Sequence, residues 1–202
     1  LRFDCIYSGY LSDPSQAKLV EQAFSLWPQA LKVVDPVLGD GGHLYRGLGA
    51  EMVPAMYTLC SQADLIVPNV TEAALLLGDP LPGVAGAEQA AEQAARLTRV
   101  APQVVLTGVT GFSAGRCIGC VGAARGGQGD LVKTPLIARM YHGTGDIFGA
   151  VLIGRILQGN APQAAVQAAA AFVADCIRAT PEGTDERLGV WLEAALPKLM
   201  TP

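Results

Sequence analysis

The stretch Asp64-Leu-Ile-Val-Pro-Asn-Val-Thr-Glu72 joins a short apolar run to a segment that favours a helix. Its first part, Asp64–Val67, predicts a buried strand, which Pro68 and Asn69 end. The following residues, Thr71–Leu77, predict a short helix. A strand that passes into a helix within a few residues is typical of a parallel sheet covered by helices.

Strand-like and helix-like segments alternate along the rest of the chain in the same way. The predicted fold class is therefore α/β, with a mainly parallel central sheet and helices on both faces, in a single domain of residues 1–202. The other predicted strands are Phe3–Tyr7, Leu31–Val34, Val104–Thr107 and an antiparallel pair around Gly126-Gly127, Arg116–Val121 and Asp130–Pro135. The other predicted helices are Asp13 to about Trp27, Met52–Gln62, Glu88–Leu97, a long one from Thr144, and Ala161–Arg178.

The composition narrows the class of protein. Of the 202 residues, 50% are hydrophobic and 16% are charged, which predicts a packed core rather than disorder. The net charge of −4 and the lack of a basic patch argue against a nucleic-acid partner. No apolar run reaches the roughly 18 residues of a membrane span, so no membrane partner is expected. The five cysteines lack the spacing of a disulfide framework, which predicts free thiols and a cytoplasmic protein.

Polar residues follow the predicted strands at the points where the strands end, and in such sheets the ligand lies at the carboxyl ends of the strands. The segment Asp35-Pro-Val-Leu-Gly-Asp40 follows Leu31–Val34. Its two carboxylates could hold a hard cation or the water bound to it, or they could be solvated acids on a surface turn. Thr107-Gly108 places a hydroxyl beside a glycine at another strand end, where it could touch a phosphate.

Asn69 and Glu72 follow the strand Asp64–Val67 and stand three residues apart. This spacing puts both on one helix face, so both could point at one Mg²⁺ shell. The alternative is that they cap the start of the helix. On spacing alone, both interpretations stay open.

The segment His142-Gly-Thr-Gly-Asp146 precedes a long apolar helix. Backbone amides of such a glycine-rich turn, together with the helix N-terminus, can form a binding site for an anion. Asp146, in the first helical turn, could take a proton from a nearby hydroxyl. The alternative is a loop–helix junction capped by Thr144 or Asp146.

Taken together and in this order, Asp35–Asp40, Asp64–Glu72 and Gly143–Asp146 resemble the ribokinase-like superfamily. The closest match is to the bacterial pyridoxal/pyridoxamine kinases of vitamin B6 salvage, from about Tyr7 to Ala171. The resemblance implies a kinase that transfers the γ-phosphoryl group of ATP to the hydroxymethyl group of pyridoxal, pyridoxamine or pyridoxine. It also implies Mg²⁺, a monovalent cation and a homodimer.

The resemblance also implies a role for each matching residue. Asp146 would be the catalytic base, and Gly143, Thr144 and Gly145 would form the anion hole. Asn69 and Glu72 would belong to the Mg²⁺–phosphate network, Asp35 and Asp40 would lie near the metal and the ATP phosphates, and Asp35 and Glu72 would be metal ligands. Thr107, with Gly108, would contact phosphate. Tyr45 would partly cover the reaction centre, and Tyr10 of Ser8-Gly9-Tyr10 would lie near the substrate pocket.

Two alternatives remain beside this interpretation. Hydroxymethylpyrimidine kinases look similar through the Asp-Pro-Val and Pro-Asn-x-x-Glu motifs, but they commonly carry Cys at the position of Asp146 and a Lys-containing loop in place of Gly39–Gly42. Both departures favour the pyridoxal type. The second alternative is a non-catalytic, truncated nucleotide-binding module, because the family's N-terminal strand and helices, which supply much of the pyridine pocket, are expected to be absent before Leu1.

Cys117 and Cys120 form a Cys-x-x-Cys pair. No second pair of Cys or His residues follows at the spacing of metal ligands. We therefore predict neither a metal nor a redox role for this pair.

Overall fold

The computed structural model describes residues 1–82, 86–112, 117–127 and 129–199. Strands and helices alternate along this part of the chain. The strands are β1 Cys5–Ser8, β2 Leu31–Val34, β3 Gly39–Asp40, β4 His43–Leu44, β5 Leu65–Ile66, β6 Gln103–Val109, β7 Cys117–Ala124 and β8 Asp130–Pro135. The α-helices are α1 Pro14–Leu26, α2 Met52–Cys60, α3 Val70–Leu77, α4 Ala87–Leu97, α5 Thr144–Leu157, α6 Pro162–Ala179 and α7 Leu192–Ala195; two 3-10 helices cover Glu186–Leu188 and Leu196–Leu199.

Six of the strands form one sheet in the order β1-β2-β5-β6-β7-β8. The pairs β1/β2, β2/β5 and β5/β6 are parallel, and β6/β7 is antiparallel. Strands β3 and β4 form a separate antiparallel pair. The mainly parallel sheet confirms the predicted α/β class.

Several predicted boundaries agree with the structure, and others shift. Helix α1 begins as predicted, because the Asp13 carboxylate accepts a hydrogen bond from the Ser15 N–H and Pro14 occupies the first turn. Strand β8 has the predicted bounds, whereas β1 covers Cys5–Ser8 instead of Phe3–Tyr7. The hairpin β3–β4 was not predicted, because two-residue strands show no periodicity. The predicted strand start at Arg116 lies outside the described residues.

The chain divides into two compact units. The first comprises Leu1–Ser113 and Gly119–Leu131, and the second comprises Ala114–Ile118 and Val132–Pro202. The prediction of a single ribokinase-like domain stays a prediction.

The core of the first unit is built on its apolar strands. Val34 of β2, Ile66 of β5 and Leu106 of β6 are fully buried and pack in one cluster with Met56 and Leu59 of α2. Burial of such side chains contributes about 1.5–3 kcal/mol each. The sheet is therefore anchored firmly just before the points where its strands end.

In the second unit, α5 and α6 pack against each other. The Arg139 guanidinium donates hydrogen bonds to the carbonyls of Ile177 and Thr180, at the carboxyl end of α6. It thereby satisfies carbonyl groups that the end of a helix leaves without an intrahelical partner.

Among the residues that the structure describes, every helix is too short or too polar to cross a membrane.

Candidate functional site

Two buried carboxylates lie close together where β2 and β5 end. Asp35 directly follows β2, and its residue is only 9% exposed. Its N–H donates to the Ser8 carbonyl at 2.8 Å, which continues the β1/β2 ladder. The Tyr7 hydroxyl donates to Asp35 Oδ2 at 3.2 Å. The second carboxylate belongs to Glu72, which lies in the first turn of α3. Glu72 is 2% exposed.

Backbone N–H groups hold the Glu72 carboxylate in place. Oε1 accepts hydrogen bonds from Leu38 N at 3.0 Å and from Gly39 N at 3.5 Å, and Oε2 accepts one from Asn69 N at 2.9 Å. Glu72 therefore ties the loop after β2 to the start of α3.

Burial, and in second place the negative charge of Asp35, raise the pKa of Glu72 to about 8. The backbone N–H donors act in the opposite direction, because they stabilise the carboxylate. A divalent cation would offset the repulsion between the two acids. Mg²⁺ commonly takes one or two carboxylates and completes its shell with water and nucleotide phosphates. Asp35 and Glu72 fit such a site.

No group of three or more His, Cys, Asp or Glu side chains suited to a metal occurs in the described part of the chain. A magnesium ion at Asp35 and Glu72 would therefore need ligands from a nucleotide and from water. This requirement matches the way Mg²⁺ is used in phosphoryl transfer.

Asn69 and Glu72 form a capping box at the start of α3. The Asn69 Oδ1 accepts hydrogen bonds from the N–H groups of Thr71 and Glu72, and its Nδ2 donates to the Gly39 carbonyl at 2.8 Å. The structure thus shows the capped-helix interpretation of these two residues. Their place in an ion shell stays a prediction.

The loop from residue 36 to residue 45 is held in an unusual backbone conformation. Val37 has a φ of 36°, a region that β-branched residues rarely occupy. This turn directs the N–H groups of Leu38 and Gly39 toward Glu72. A Cβ at Gly39 would overlap the carbonyl of His43, so only glycine fits there.

The hairpin β3–β4 is attached to α3 by a side chain. The Gly42 N–H donates to Oγ1 of the fully buried Thr71 at 3.0 Å. Asp40 is exposed on the hairpin, where its Oδ1 accepts the Gly41 N–H. Tyr45 follows the hairpin; its N–H donates to the Leu38 carbonyl, and the residue is 39% exposed. The start of α3 thus holds the segment that carries Asp40 and Tyr45.

Thr107 and Gly108 lie beside Asn69. The Thr107 N–H donates to the Pro68 carbonyl at 2.9 Å, and an isolated parallel bridge joins Asn69 to Thr107. A Cβ built on Gly108 would lie 3.8 Å from the Asn69 Cβ. The structure therefore brings Asn69, Thr107 and Gly108 together, but the prediction that Thr107 ends its strand is wrong, because β6 continues to Val109.

The glycine-rich turn lies at the start of α5, in the second unit. Gly143 is the residue before the helix, with a left-handed φ of 82°, and no side chain of the described residues caps the helix. The Thr144 hydroxyl donates instead to the Tyr141 carbonyl at 3.3 Å. Asp146 is exposed. The interpretation of Thr144 or Asp146 as a cap is therefore wrong, and the first-turn N–H groups remain without a side-chain partner from this part of the chain.

The predicted site residues are thus divided between the two units. Asp35, Asp40, Asn69, Glu72, Thr107, Gly108, Tyr10 and Tyr45 belong to the first, and Gly143–Asp146 belong to the second. Tyr10 is 55% exposed in the loop after β1. Sequence reasoning missed Tyr7 and Thr71, whose roles depend on contacts across the sheet and the hairpin. The position of Tyr7 near the end of a strand was the only available signal for it.

A family model described as phosphomethylpyrimidine kinase matches residues 1–190. The chain belongs to the phosphomethylpyrimidine kinase family. The chain is similar to the pyridoxal kinase of Rubrobacter xylanophilus. The two are 31% identical over 182 residues, which cover 83% of this chain and 59% of that protein. The chain spans about half to three fifths of the length of such curated relatives.

Two solved structures resemble this phosphomethylpyrimidine kinase family member over nearly its whole length. A Bacteroides thetaiotaomicron protein, provisionally named a phosphomethylpyrimidine kinase and crystallised with pyridoxal, is 35% identical with a TM-score of 0.93; the match covers 100% of this chain and 72% of that one. The pyridoxal kinase of Lactobacillus plantarum is 31% identical with a TM-score of 0.87, over 98% of this chain and 71% of that one. The expected resemblance to ribokinase-like kinases of the pyridoxal type is confirmed.

Proposed function

We propose that this protein transfers the γ-phosphoryl group of ATP to the hydroxymethyl group of a B6 vitamer, namely pyridoxal, pyridoxamine or pyridoxine. The observation that carries the proposal is the start of α5, where an uncapped glycine-rich turn is followed at once by the exposed carboxylate of Asp146. The vitamer is supported by the pyridoxal kinase relatives and by the related structure with pyridoxal.

The turn supplies groups suited to phosphoryl transfer. The N–H groups of Gly143, Thr144 and Gly145, with the dipole of α5, would stabilise negative charge on the transferred phosphoryl group. Asp146 would accept the proton of the vitamer hydroxymethyl group as its oxygen attacks phosphorus. General base catalysis of this kind contributes roughly 10²–10⁴ in rate.

Residues of the first unit would bind the nucleotide and its metal. Asp35 and Glu72 would hold Mg²⁺, which neutralises phosphate charge when bound. Asp40, Asn69, Thr107 and Gly108 would contact the phosphates or the water around the metal. Tyr10 and Tyr45 would contact the vitamer. By the same family resemblance, we include a monovalent cation as a further cofactor.

We also propose a cytoplasmic homodimer built on one ribokinase-like domain. All five cysteines are free thiols, which suits a reducing compartment. The dimer rests on the family resemblance, and size-exclusion chromatography with light scattering tests it directly.

The second candidate substrate is hydroxymethylpyrimidine, which the family description favours. Asp146 stands where such kinases commonly carry Cys, so we rank the B6 vitamers first.

The test is to incubate the protein with Mg·ATP and each of pyridoxal, pyridoxine, pyridoxamine and hydroxymethylpyrimidine, and to identify products by mass spectrometry. We expect pyridoxal phosphate or its congeners. Phosphorylation of hydroxymethylpyrimidine alone would contradict the proposal that a B6 vitamer is the substrate. ATP binding without transfer to any acceptor would support the non-catalytic alternative.

A further inference from the structure

Strand β1 contacts Asp35 in two ways. The Ser8 carbonyl accepts the Asp35 N–H at 2.8 Å, and this bond fixes the backbone of Asp35. The Tyr7 hydroxyl donates to Asp35 Oδ2 at 3.2 Å, across 28 residues of sequence. The backbone contact is part of the sheet and needs no particular side chain, whereas the second contact depends on a tyrosine at residue 7.

The Asp35 carboxylate lies beside a second acid. It is buried near Glu72, and the two acids act on each other electrostatically. Glu72 is fixed by three backbone N–H groups, and the Tyr7 hydroxyl is a side-chain donor that reaches Asp35 Oδ2. A donor on Oδ2 favours one orientation of the Asp35 carboxylate and partly offsets the negative charge.

We propose that Tyr7 is a positioning residue that orients the Asp35 carboxylate for the Mg²⁺ of a bound Mg·ATP. The inference rests on the proposed function only in taking Asp35 as a metal ligand. Tyr7 acts through Asp35 and does not touch the reacting groups. A distance of 3.2 Å is long for a hydroxyl donor, so the contribution of the bond is modest.

The test is the affinity of Mn²⁺, used as a paramagnetic substitute for Mg²⁺, measured by electron paramagnetic resonance in the presence of saturating ATP. Tyr7→Phe removes one oxygen and keeps the ring. We expect it to weaken Mn²⁺ binding by about threefold to tenfold, the range of one hydrogen bond of ordinary strength, because the bond is long. The control is Tyr57→Phe, because Tyr57 is an exposed tyrosine of α2; it should bind Mn²⁺ as the wild type does.

A double-mutant cycle separates positioning from general packing. If Tyr7 acts through Asp35, Tyr7→Phe should have no further effect on Mn²⁺ affinity in an Asp35→Asn background. Thermal unfolding of each variant verifies that the proteins compared are folded. Unchanged Mn²⁺ affinity in Tyr7→Phe would overturn the inference, as would an equal loss in both backgrounds or a wild type that binds no Mn²⁺ with ATP.

The outcomes also separate this inference from the proposed function. A protein that binds Mn·ATP through Tyr7 and Asp35 but phosphorylates no vitamer would refute the function and leave the role of Tyr7 intact. A protein that phosphorylates pyridoxal and whose Tyr7→Phe variant binds Mn²⁺ normally would refute the role of Tyr7 alone.

Discussion

Helices α3 and α5 both begin at a motif that the sequence marks as functional, but the structure builds the two starts differently. At α3, Asn69 and Glu72 form a capping box, and their side-chain oxygens accept hydrogen bonds from backbone N–H groups. At α5, the helix follows Gly143 in a left-handed conformation, with no side-chain cap from the described residues, and Asp146 is exposed. The start of α3, which side chains cap, is the closed start, and the start of α5, which no side chain of the described residues caps, is the open start.

Because the two helix starts are built differently, substitutions in them should have different effects. Side chains that satisfy buried backbone groups support the fold, because their removal leaves buried N–H groups without a partner. An uncapped helix start presents N–H groups that an anion can satisfy. Changes at α3 should therefore lower stability first, and changes at α5 should lower activity first.

The largest effect is expected for Asp146→Asn. Removal of the proposed base should lower kcat by roughly 10²–10⁴, while the free energy of unfolding and the affinity for Mg·ATP stay near wild type. Steady-state kinetics with pyridoxal measure kcat, displacement of a fluorescent ATP analogue measures the affinity for Mg·ATP, and urea unfolding measures the free energy of unfolding. A variant that keeps more than about a tenth of the wild-type kcat would remove Asp146 from the role of base.

Glu72→Gln should act mainly on stability. The amide places an NH₂ group against a backbone N–H, which leaves a buried donor unsatisfied and costs about 1–3 kcal/mol. The proposed metal role adds a higher Mg²⁺ requirement. Urea unfolding at pH 5, where Glu72 of the folded protein is still protonated, measures the first effect, and a Mg²⁺ titration of the initial rate measures the second. Glu88→Gln is the matched control, since Glu88 is an exposed acid in the first turn of α4. Equal stability of the two variants would contradict the account of the α3 start.

The same carboxyl group predicts how stability depends on pH. Burial and the charge of Asp35 raise the pKa of Glu72 to about 8, above its value in the unfolded chain. The folded protein therefore binds more protons than the unfolded chain between these two pKa values, so stability falls as the pH rises through this interval. Urea unfolding from pH 5 to pH 8 should show this slope in the wild type and a shallower one in Glu72→Gln. Identical slopes would show that Glu72 does not titrate in this range.

Local sequence signals predicted the glycine-rich start of α5, but they did not predict the contacts that close the start of α3. The glycine-rich turn at Gly143–Asp146 and the strand end before Asp35 can be recognised from neighbouring residues alone. The bonds from Leu38 and Gly39 to Glu72, and from Gly42 to Thr71, join segments about 30 residues apart in sequence. The two bonds to Glu72 come directly after the left-handed Val37, a conformation that no propensity of valine favours.

The Tyr7–Asp35 contact illustrates the same limit of local signals. It joins residues 28 positions apart, through the pairing of β1 with β2. Periodicity can predict each strand, but it does not predict which side chain of one strand reaches the end of the next. Such contacts require the register of the sheet, which is set by packing over the whole unit.

The smallest effect is expected for Cys117→Ser combined with Cys120→Ser. The two thiols lie on β7, Cys117 half-buried and Cys120 buried, and no suitable metal-binding group was found in the described residues. Activity should change by less than about twofold, because neither residue belongs to the proposed site. Kinetics and metal analysis check this expectation. Stoichiometric zinc that the double variant loses would show that the pair is a metal site.

The most direct test of the contrast between the two helix starts is single-turnover transfer from bound Mg·ATP to pyridoxal in Asp146→Asn and Thr71→Val. Thr71→Val removes the hydroxyl that accepts the Gly42 N–H at the start of α3 and leaves the start of α5 unchanged. We predict that folded Thr71→Val, which loosens the hairpin, keeps the transfer rate within about tenfold of wild type, whereas Asp146→Asn binds ATP and loses roughly 10²–10⁴ in the transfer rate. Comparable losses of transfer in the two variants, or rapid transfer by Asp146→Asn, would contradict the account.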